Sequence, residues 1–452
     1  MDVNQKEDSN TVKGNPSKEL FITMLIKDIT LKDAIGDLID NSVDAAKKCA
    51  EDKNDLSNFQ ININITTDSF SIEDNCGGIE VEIAQKYAFR FGRPKEQFFT
   101  PESVGRFGIG MKRAFFKIGS LINITSNAPK SSFELEIDVP KWQKNLDNWD
   151  FQFKIKKDNI ENELINTFTK ININNLTNDA KSIFQLTNFK EELKAEIAKE
   201  QIMNIDNGIK ININESLLEA LLAPKLELKK DKDITPIHQK YSFEGGLDVT
   251  ILAGVSEDKG EEGGWYIFCN NRLISGPDTS KDTGWKGKGR GGAALYHDQY
   301  HRFRGYVFFE SSDPSNLPWN TTKTGMDLDS PIYKNVLTKM IFAMNQVIRL
   351  MNDLKNEREK GNPKHNQRLS NRIIEAKTVH IKEIINSKDN LSNKFIYPKN
   401  LKTTIKKSDK TTIKYEVTND DYSRVKDSLE ALSPNEVGLK TFDYYFKNEI
   451  EF

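Results

Sequence analysis

The stretch Gly36-Asp37-Leu38-Ile39-Asp40-Asn41-Ser42-Val43-Asp44-Ala45-Ala46, "GDLIDNSVDAA", puts carboxylates and an amide into a segment with helical apolar spacing. At about 100° per residue, Leu31, Ile35, Leu38, Ile39, Ser42 and Ala46 share one face, which can pack on a sheet. Asp37, Asn41 and Asp44 share the opposite side, with Asp33 and Asp40 next to them. Two readings are open. A solvated acidic face is the ordinary meaning of charges opposite an apolar stripe. Such faces usually mix in Lys and Arg at i, i+4, and Lys32 is the only basic residue between 28 and 46. The other reading is chemical. The Asn41 amide oxygen can hold a hard cation such as Mg²⁺. Asp37, one turn earlier, can take a proton from a water attacking a phosphate. That reading requires a phosphate-binding loop elsewhere in the chain.

Two glycine segments are candidates. "SIEDNCGGIE" (71–80) ends a strand pattern at Asp74, just before Gly77 and Gly78. "SVGRFGIGMKRAFFKIG" (103–119) carries Gly105, Gly108 and Gly110, separated by Arg106, Phe107 and Ile109, ahead of a helix beginning near Met111. Glycines let the backbone approach a ligand and form amide nests. A helix N-terminus aims further amides at the same place, and Lys112 adds a point charge. The segment is not a P-loop, because GxxxxGK followed by Ser or Thr would need Lys at the position of Met111. It is not a dinucleotide fingerprint, because no strand leads directly into Gly105.

The remaining chain sets the frame. Its 65 basic and 67 acidic residues nearly balance, so bulk charge says nothing about a polyanionic partner. Cys49, Cys76 and Cys269 are scattered and odd in number, which argues against a disulfide framework or zinc site and suits a reducing cytosol. No run of about 18 apolar residues exists and the N-terminus lacks a hydrophobic signal core, so a soluble cytoplasmic protein without a membrane span is expected. Residues 1–15 are expected to be disordered; helical patterns at 17–28 and 31–50 then precede alternating strands at 59–67 and 69–74. A helix at 80–90 and one at 111–118 follow, then strands near 120–127, 132–139, 151–157 and 168–176. Helices first, then a mostly antiparallel sheet, read as an α+β sandwich with helices on one sheet face. A long helix is expected over 179–204. A strand-rich α/β region follows from about 210 to 330.

The three motifs, D-x-x-x-N, D-x-x-G-G and G-x-x-G-x-G-x-K, occur in that order on a helix, a strand end and a loop-to-helix junction. Together they resemble the ATP-binding module of the GHKL superfamily: gyrase B subunits, the ninety-kilodalton heat-shock chaperones, histidine kinases and MutL. "DLIDNSVDA" looks like the family's N box and "VGRFGIGMKRA" like its lid. "TFTKININNL" (167–176) looks like the strand bearing its adenine-site threonine, here Thr169. The resemblance implies a Bergerat-type α/β sandwich at 16–205 that binds ATP with Mg²⁺. It implies that Asp74 accepts the adenine amino group, supported by Thr169. Asn41 would coordinate Mg²⁺, with Asp44 on the same face. Gly78 and the 105–112 loop would wrap base and phosphates. The hydrolytic base of the family is usually Glu, and here Asp37 stands in its place. One missing methylene sets the carboxylate back about 1 Å, which can cost on the order of 100-fold in rate. Slow hydrolysis is therefore expected; the alternative is a nucleotide-gated scaffold that binds ATP without significant hydrolysis. The second departure is Cys76, where the family's DxGxG has glycine. It requires an ordinary backbone there, with Gly77 and Gly78 taking up the turn.

"GGWYIFCNNRLISGP" and "NLPWNTTKTGMDLDSP" resemble the transducer domain that follows the ATPase module in gyrase B, MutL and MORC proteins, a ribosomal-protein-like α/β fold. Lys323 matches the lysine that reaches the γ-phosphate there. The implied domains are 206–345 for the transducer, 346–410 for a basic helical connector and 411–452 for a small C-terminal segment. MORC-like and MutL-like ATPases are nearest in architecture. They imply an ATP-dependent homodimer, a DNA-related task and, among prokaryotic relatives, phage defence. The basic stretches 280–292 and 297–305 are candidates for a DNA path or for solvated loops. The aromatic tail is a candidate for docking on its own domain or on a partner protein. A histidine kinase is disfavoured, since all five histidines follow the ATP module. A chaperone is disfavoured by the short chain after 360.

Overall fold

The computed structural model describes residues 17–92, 104, 108–145, 148–218, 225–285, 294–320, 322–359, 369–387, 391–398 and 413–450. Two compact units divide the chain, 1–399 and 400–452.

The first layer of the larger unit follows from strict alternation. In "QININI", Ile61, Ile63 and Ile65 are buried while Asn62 and Asn64 face outward, the period-2 signature of a half-buried strand. This strand is β1 (Gln60–Ile65). With β2 (Phe70–Asp74), β3 (Gly119–Asn127), β4 (Ser131–Asp138), β5 (Phe153–Asp158), β6 (Phe168–Leu176), β7 (Lys210–Ile213) and β8 (Ser216–Leu217) it forms one sheet. The order is β5-β4-β3-β6-β2-β1-β7-β8, antiparallel except for β1 with β7. The inward isoleucines share a core with helices α1 (Lys18–Ile26), α2 (Leu31–Cys49) and α4 (Gly110–Ile118). Short α3 (Val81–Ile83) runs on into a π-helical turn over Ala84–Ala88. The expected α+β sandwich is what the first layer forms.

Helix α2 starts where a capping box places it. Thr30 accepts from the Asp33 amide and Asp33 returns a bond to the Thr30 amide, satisfying two orphan N–H groups. Lys47 and Lys48 close its last turn, where cations oppose the helix dipole. Asp37 and Asp40 on its polar side are as buried as Ile35 and Leu38. The solvated-face reading is therefore overturned: a second layer covers that side.

This second layer is a sheet in the order β10-β11-β14-β12-β13, from β10 (Ile237–Phe243), β11 (Leu247–Val255), β12 (Gly264–Cys269), β13 (Arg272–Asp278) and β14 (Phe303–Ser311). Helix α9 (Pro331–Glu359) lays Tyr333, Val336, Met340, Met344 and Val347 on it. One helix thus runs through residue 345, where the sequence suggested a boundary. The expected helix over 179–204 is broken into α6 (Asn178–Phe184), α7 (Phe189–Glu200) and α8 (Ile202–Asp206), after α5 (Val139–Lys144) earlier in the chain. The second break falls at Gln201, whose side chain is drawn into a buried contact described below. Strand β7, grouped by sequence with the second domain, pairs with β1 in the first sheet. Beyond α9, the segment expected as a basic helical connector is described at 369–387 and 391–398. These residues supply α10 (Leu369–Glu375), α11 (Ile381–Asn386) and β15 (Thr378–His380), which pairs with β9 (Glu227–Lys229). In the smaller unit, α12 (Asn419–Ser428) packs with α13 (Pro434–Glu449), and Phe442, Tyr444, Tyr445 and Phe446 are exposed. Among the described residues no helix is long and apolar enough to cross a membrane.

Candidate functional site

The β2 end brings together what three separate motifs supply. Asp74 lies directly across from Thr169 on β6, and both are buried. Asp74 Oδ2 accepts the Ser42 hydroxyl at 2.6 Å and Oδ1 accepts the Cys76 amide at 2.9 Å. Burial raises the Asp74 carboxyl above its usual range, against the pull of these two donors. The chain then turns through Gly77 and Gly78 at φ +94° and +70°, and Cys76 keeps an ordinary conformation. A Cβ on Gly78 would lie 2.3 Å from the Asn127 carbonyl oxygen, so only glycine fits this turn. Ser42 was missed by the sequence reading, which placed it with the packing face. The available signal was a hydroxyl among Leu, Ile and Ala.

On the far side of α2 the second layer meets the first through buried charges. Lys323 Nζ lies 3.0 Å from Asp37 Oδ1 and 2.7 Å from Asp40 Oδ2. Arg113, from α4, donates Nε–H to Asp37 Oδ2. Arg272, from β13, reaches Asp40 Oδ1 at 2.8 Å and Glu200 Oε1 at 3.0 Å. Gln201 Nε2 donates to Asp40 Oδ1 at 2.9 Å. Lys47 Nζ adds a bond to the Asn270 carbonyl at 2.8 Å. Burial works to raise the Asp37 carboxyl, but Lys323 and Arg113 outweigh it and hold the group below its ordinary range. Burial works to lower the Lys323 ammonium, and Asp40 and Asp37 more than offset it. Glu200 goes the other way: burial pushes it up to about 7 despite Arg272. Asp40, Arg113, Arg272, Glu200 and Gln201 were not singled out by sequence as site residues.

The lid motif is described only in part. Gly105, Arg106 and Phe107 lie outside the described residues. Gly108 turns at φ +64°, and Ile109 caps α4, whose first residues are Gly110 and Met111. A Cβ on Gly110 would sit 3.2 Å from the Asp37 carboxylate, so the α4 N-terminus abuts that anion, as the helix dipole favours. Lys112 does not project as a free charge; it is buried and donates to the Ala88 carbonyl at 2.9 Å. Val104 packs into the core of the second layer, and its amide lies 2.9 Å from both oxygens of Asp44. Burial pushes half-buried Asp44 up to about 6.

Asn41 is exposed on α2 between Asp37 and Asp44. Among the described residues no group of three or more His, Cys, Asp or Glu could hold a metal ion. One amide oxygen fits a Mg²⁺ that arrives with phosphates, which supply other ligands, rather than a resident ion. The stretches 280–292 and 297–305, candidates for a DNA path or for solvated loops, are described only in part. Arg304 is buried against Glu262 and the His301 and Phe303 carbonyls, and Arg302 faces Asp258. Trp285 is buried in the second-layer core, and 286–293 lie outside the described residues. A cavity of about 370 Å³ near Asp74 is walled by Asn62 and Glu73, which alternate with the core-facing Ile61 and Ile72. Asp74 itself and Thr167 also line it, so it adjoins the site assembled above.

No curated protein matches the chain. Residues 29–181, from the capping box of α2 through Asp74, the lid, Thr169 and into α6, match the family model described as histidine kinase-, DNA gyrase B- and HSP90-like ATPase, which supports the GHKL superfamily for this segment.

Proposed function

We propose that the protein binds ATP with Mg²⁺ along α2, hydrolyses it slowly, and senses the γ-phosphate through Lys323. The observation that carries this reading is the arrangement along one helix: Ser42 on Asp74 at one side, and Asp37 with Lys323 at the other. Asp74 would accept the adenine amino group with Thr169 in support. Gly78 and the 105–112 segment would wrap base and phosphates, and Asn41 would hold Mg²⁺. The ion would offset phosphate charge. Asp37 would orient and deprotonate the attacking water. Lys323 gives ATP a charge-assisted contact that ADP lacks.

Two features slow turnover in this reading. Asp37 is a short carboxylate, and its two cations lower its basicity. The second feature also favours the other reading, a scaffold that binds ATP without significant hydrolysis. A phosphate-release assay on wild type and Asp37→Asn separates them. A fall of about 10²-fold or more in the variant supports the base. Equal release from both sinks that role, and ATP binding without release in wild type favours the scaffold. Closure of an ATP-dependent homodimer and a DNA- or partner-directed task, in a restriction or phage-defence setting, follow from the resemblance to MORC-like and MutL-like ATPases. Light scattering with and without a non-hydrolysable ATP analogue tests the dimer.

A further inference from the structure

We propose that Asp40, oriented by Arg272, is a positioning residue that holds Lys323 ready for exchange onto the nucleotide; the exchange rests on the γ-phosphate reading above. Asp40 is 1% exposed and takes donors from three separate stretches of the chain. Its Oδ1 is fixed from both sides, by Arg272 Nη1 at 2.8 Å and Gln201 Nε2 at 2.9 Å. Each of these is itself held. Arg272 Nη2 binds Glu200 at 3.0 Å, and Gln201 Oε1 accepts from Asn204 at 2.7 Å. The carboxylate plane is thereby set, and Oδ2 is presented to Lys323 at 2.7 Å.

The pairing pattern makes Lys323 the exchangeable member. Three carboxylates (Asp37, Asp40, Glu200) face three cations (Arg113, Arg272, Lys323). If Lys323 leaves, Asp37 keeps Arg113, and Asp40 keeps Arg272 and Gln201. Departure of Arg272 instead takes the guanidinium from Glu200 and from Asp40 together. An uncompensated buried charge is the costly outcome; the lysine can leave Asp37 and Asp40 together and each keeps a cation, whereas Arg272 cannot leave without taking the one cation that Glu200 has among these three. The lysine's backbone is held for the task. Lys323 sits at φ +61°, unusual for a residue with a Cβ, and its amide donates to the Asn320 carbonyl at 3.2 Å.

The test uses the full chain in two arms. In the first, without nucleotide, lysines are acetylated with an N-hydroxysuccinimide ester and Lys323 is followed by mass spectrometry, with buried Lys47 as the internal control for folding. Asp40→Asn is expected to raise Lys323 labelling by about tenfold and Asp37→Asn by much less. An unchanged Lys323, or an equal rise in Asp37→Asn, overturns the positioning role. If Lys47 also becomes reactive in Asp40→Asn, Arg272→Lys decides: Lys323 more reactive with Lys47 protected supports the role, and any other result overturns it. In the second arm, ATP and ADP affinities are compared. Asp40→Asn is expected to cut the ATP-over-ADP preference by about tenfold while ADP affinity changes little. A preference left intact overturns the exchange. Wild type that binds neither nucleotide would overturn the proposed function, and the labelling arm would still decide whether Asp40 positions Lys323.

Discussion

Lys323 and Asp37, far apart in the chain, meet at 3.0 Å where the second layer covers α2. Because Arg113 also holds Asp37 and Arg272 also holds Asp40, removing the lysine leaves each carboxylate with a partner. Lys323→Ala is therefore expected to cost about 1–3 kcal/mol. Arg272→Ala removes a cation from buried Asp40 and from half-buried Glu200 and is expected to cost about 3–5 kcal/mol. Urea denaturation of the three proteins gives the order, and a larger loss for Lys323→Ala contradicts the pairing argument.

Asp74→Asn keeps the shape at the β2 end but swaps one acceptor oxygen for a donor. Base recognition through a buried polar group is lost steeply when its partner no longer matches. ATP affinity by titration calorimetry is expected to fall by about 10²-fold, with the melting temperature changed little. Unaltered ATP affinity would remove Asp74 from the adenine site.

Gly78→Ala forces a Cβ to within 2.3 Å of the Asn127 carbonyl at a positive φ. The neighbour is backbone on β3 and cannot swing aside. A loss of about 2 kcal/mol or more is expected, together with weakened ATP binding. Thermal melting and nucleotide titration read both effects, and a fully stable alanine variant would contradict the turn geometry.

Glu200 carries a pH dependence of defined sign. Burial raises it from 4.5 to about 7 in the folded chain. Between those values the folded protein holds a proton that the unfolded chain has released, so stability from this group falls as pH rises and is level above about 7. Glu200→Gln cannot titrate. The difference in melting temperature between wild type and variant should therefore shift against wild type from about pH 4.5 to about pH 7. A constant difference across that range would refute the raised value.

Local periods and turn chemistry were enough to read much of the first layer. The capping box at Thr30 starts α2, alternation in "QININI" makes β1, and Gly77-Gly78 marks the turn after Asp74. These signals are local because helix and strand repeat every few residues, and one repeat fixes which side chains share a face. The motif order then pointed at the same helix, strand end and turn that the fold brings together at Asp74 and Thr169. What sequence could not decide was the environment of the polar side of α2. Read alone, it suited water. Its partners lie 76 residues away at Arg113, 161 at Gln201, 232 at Arg272 and 286 at Lys323, and no period links them. A buried carboxylate takes whichever cations long-range packing delivers, because leaving it unpaired costs more than any local preference. The sequence determined a helix with acids on one side. Only the tertiary structure turned those acids into a shared socket for Lys323, by laying a second sheet over the face that would otherwise meet solvent.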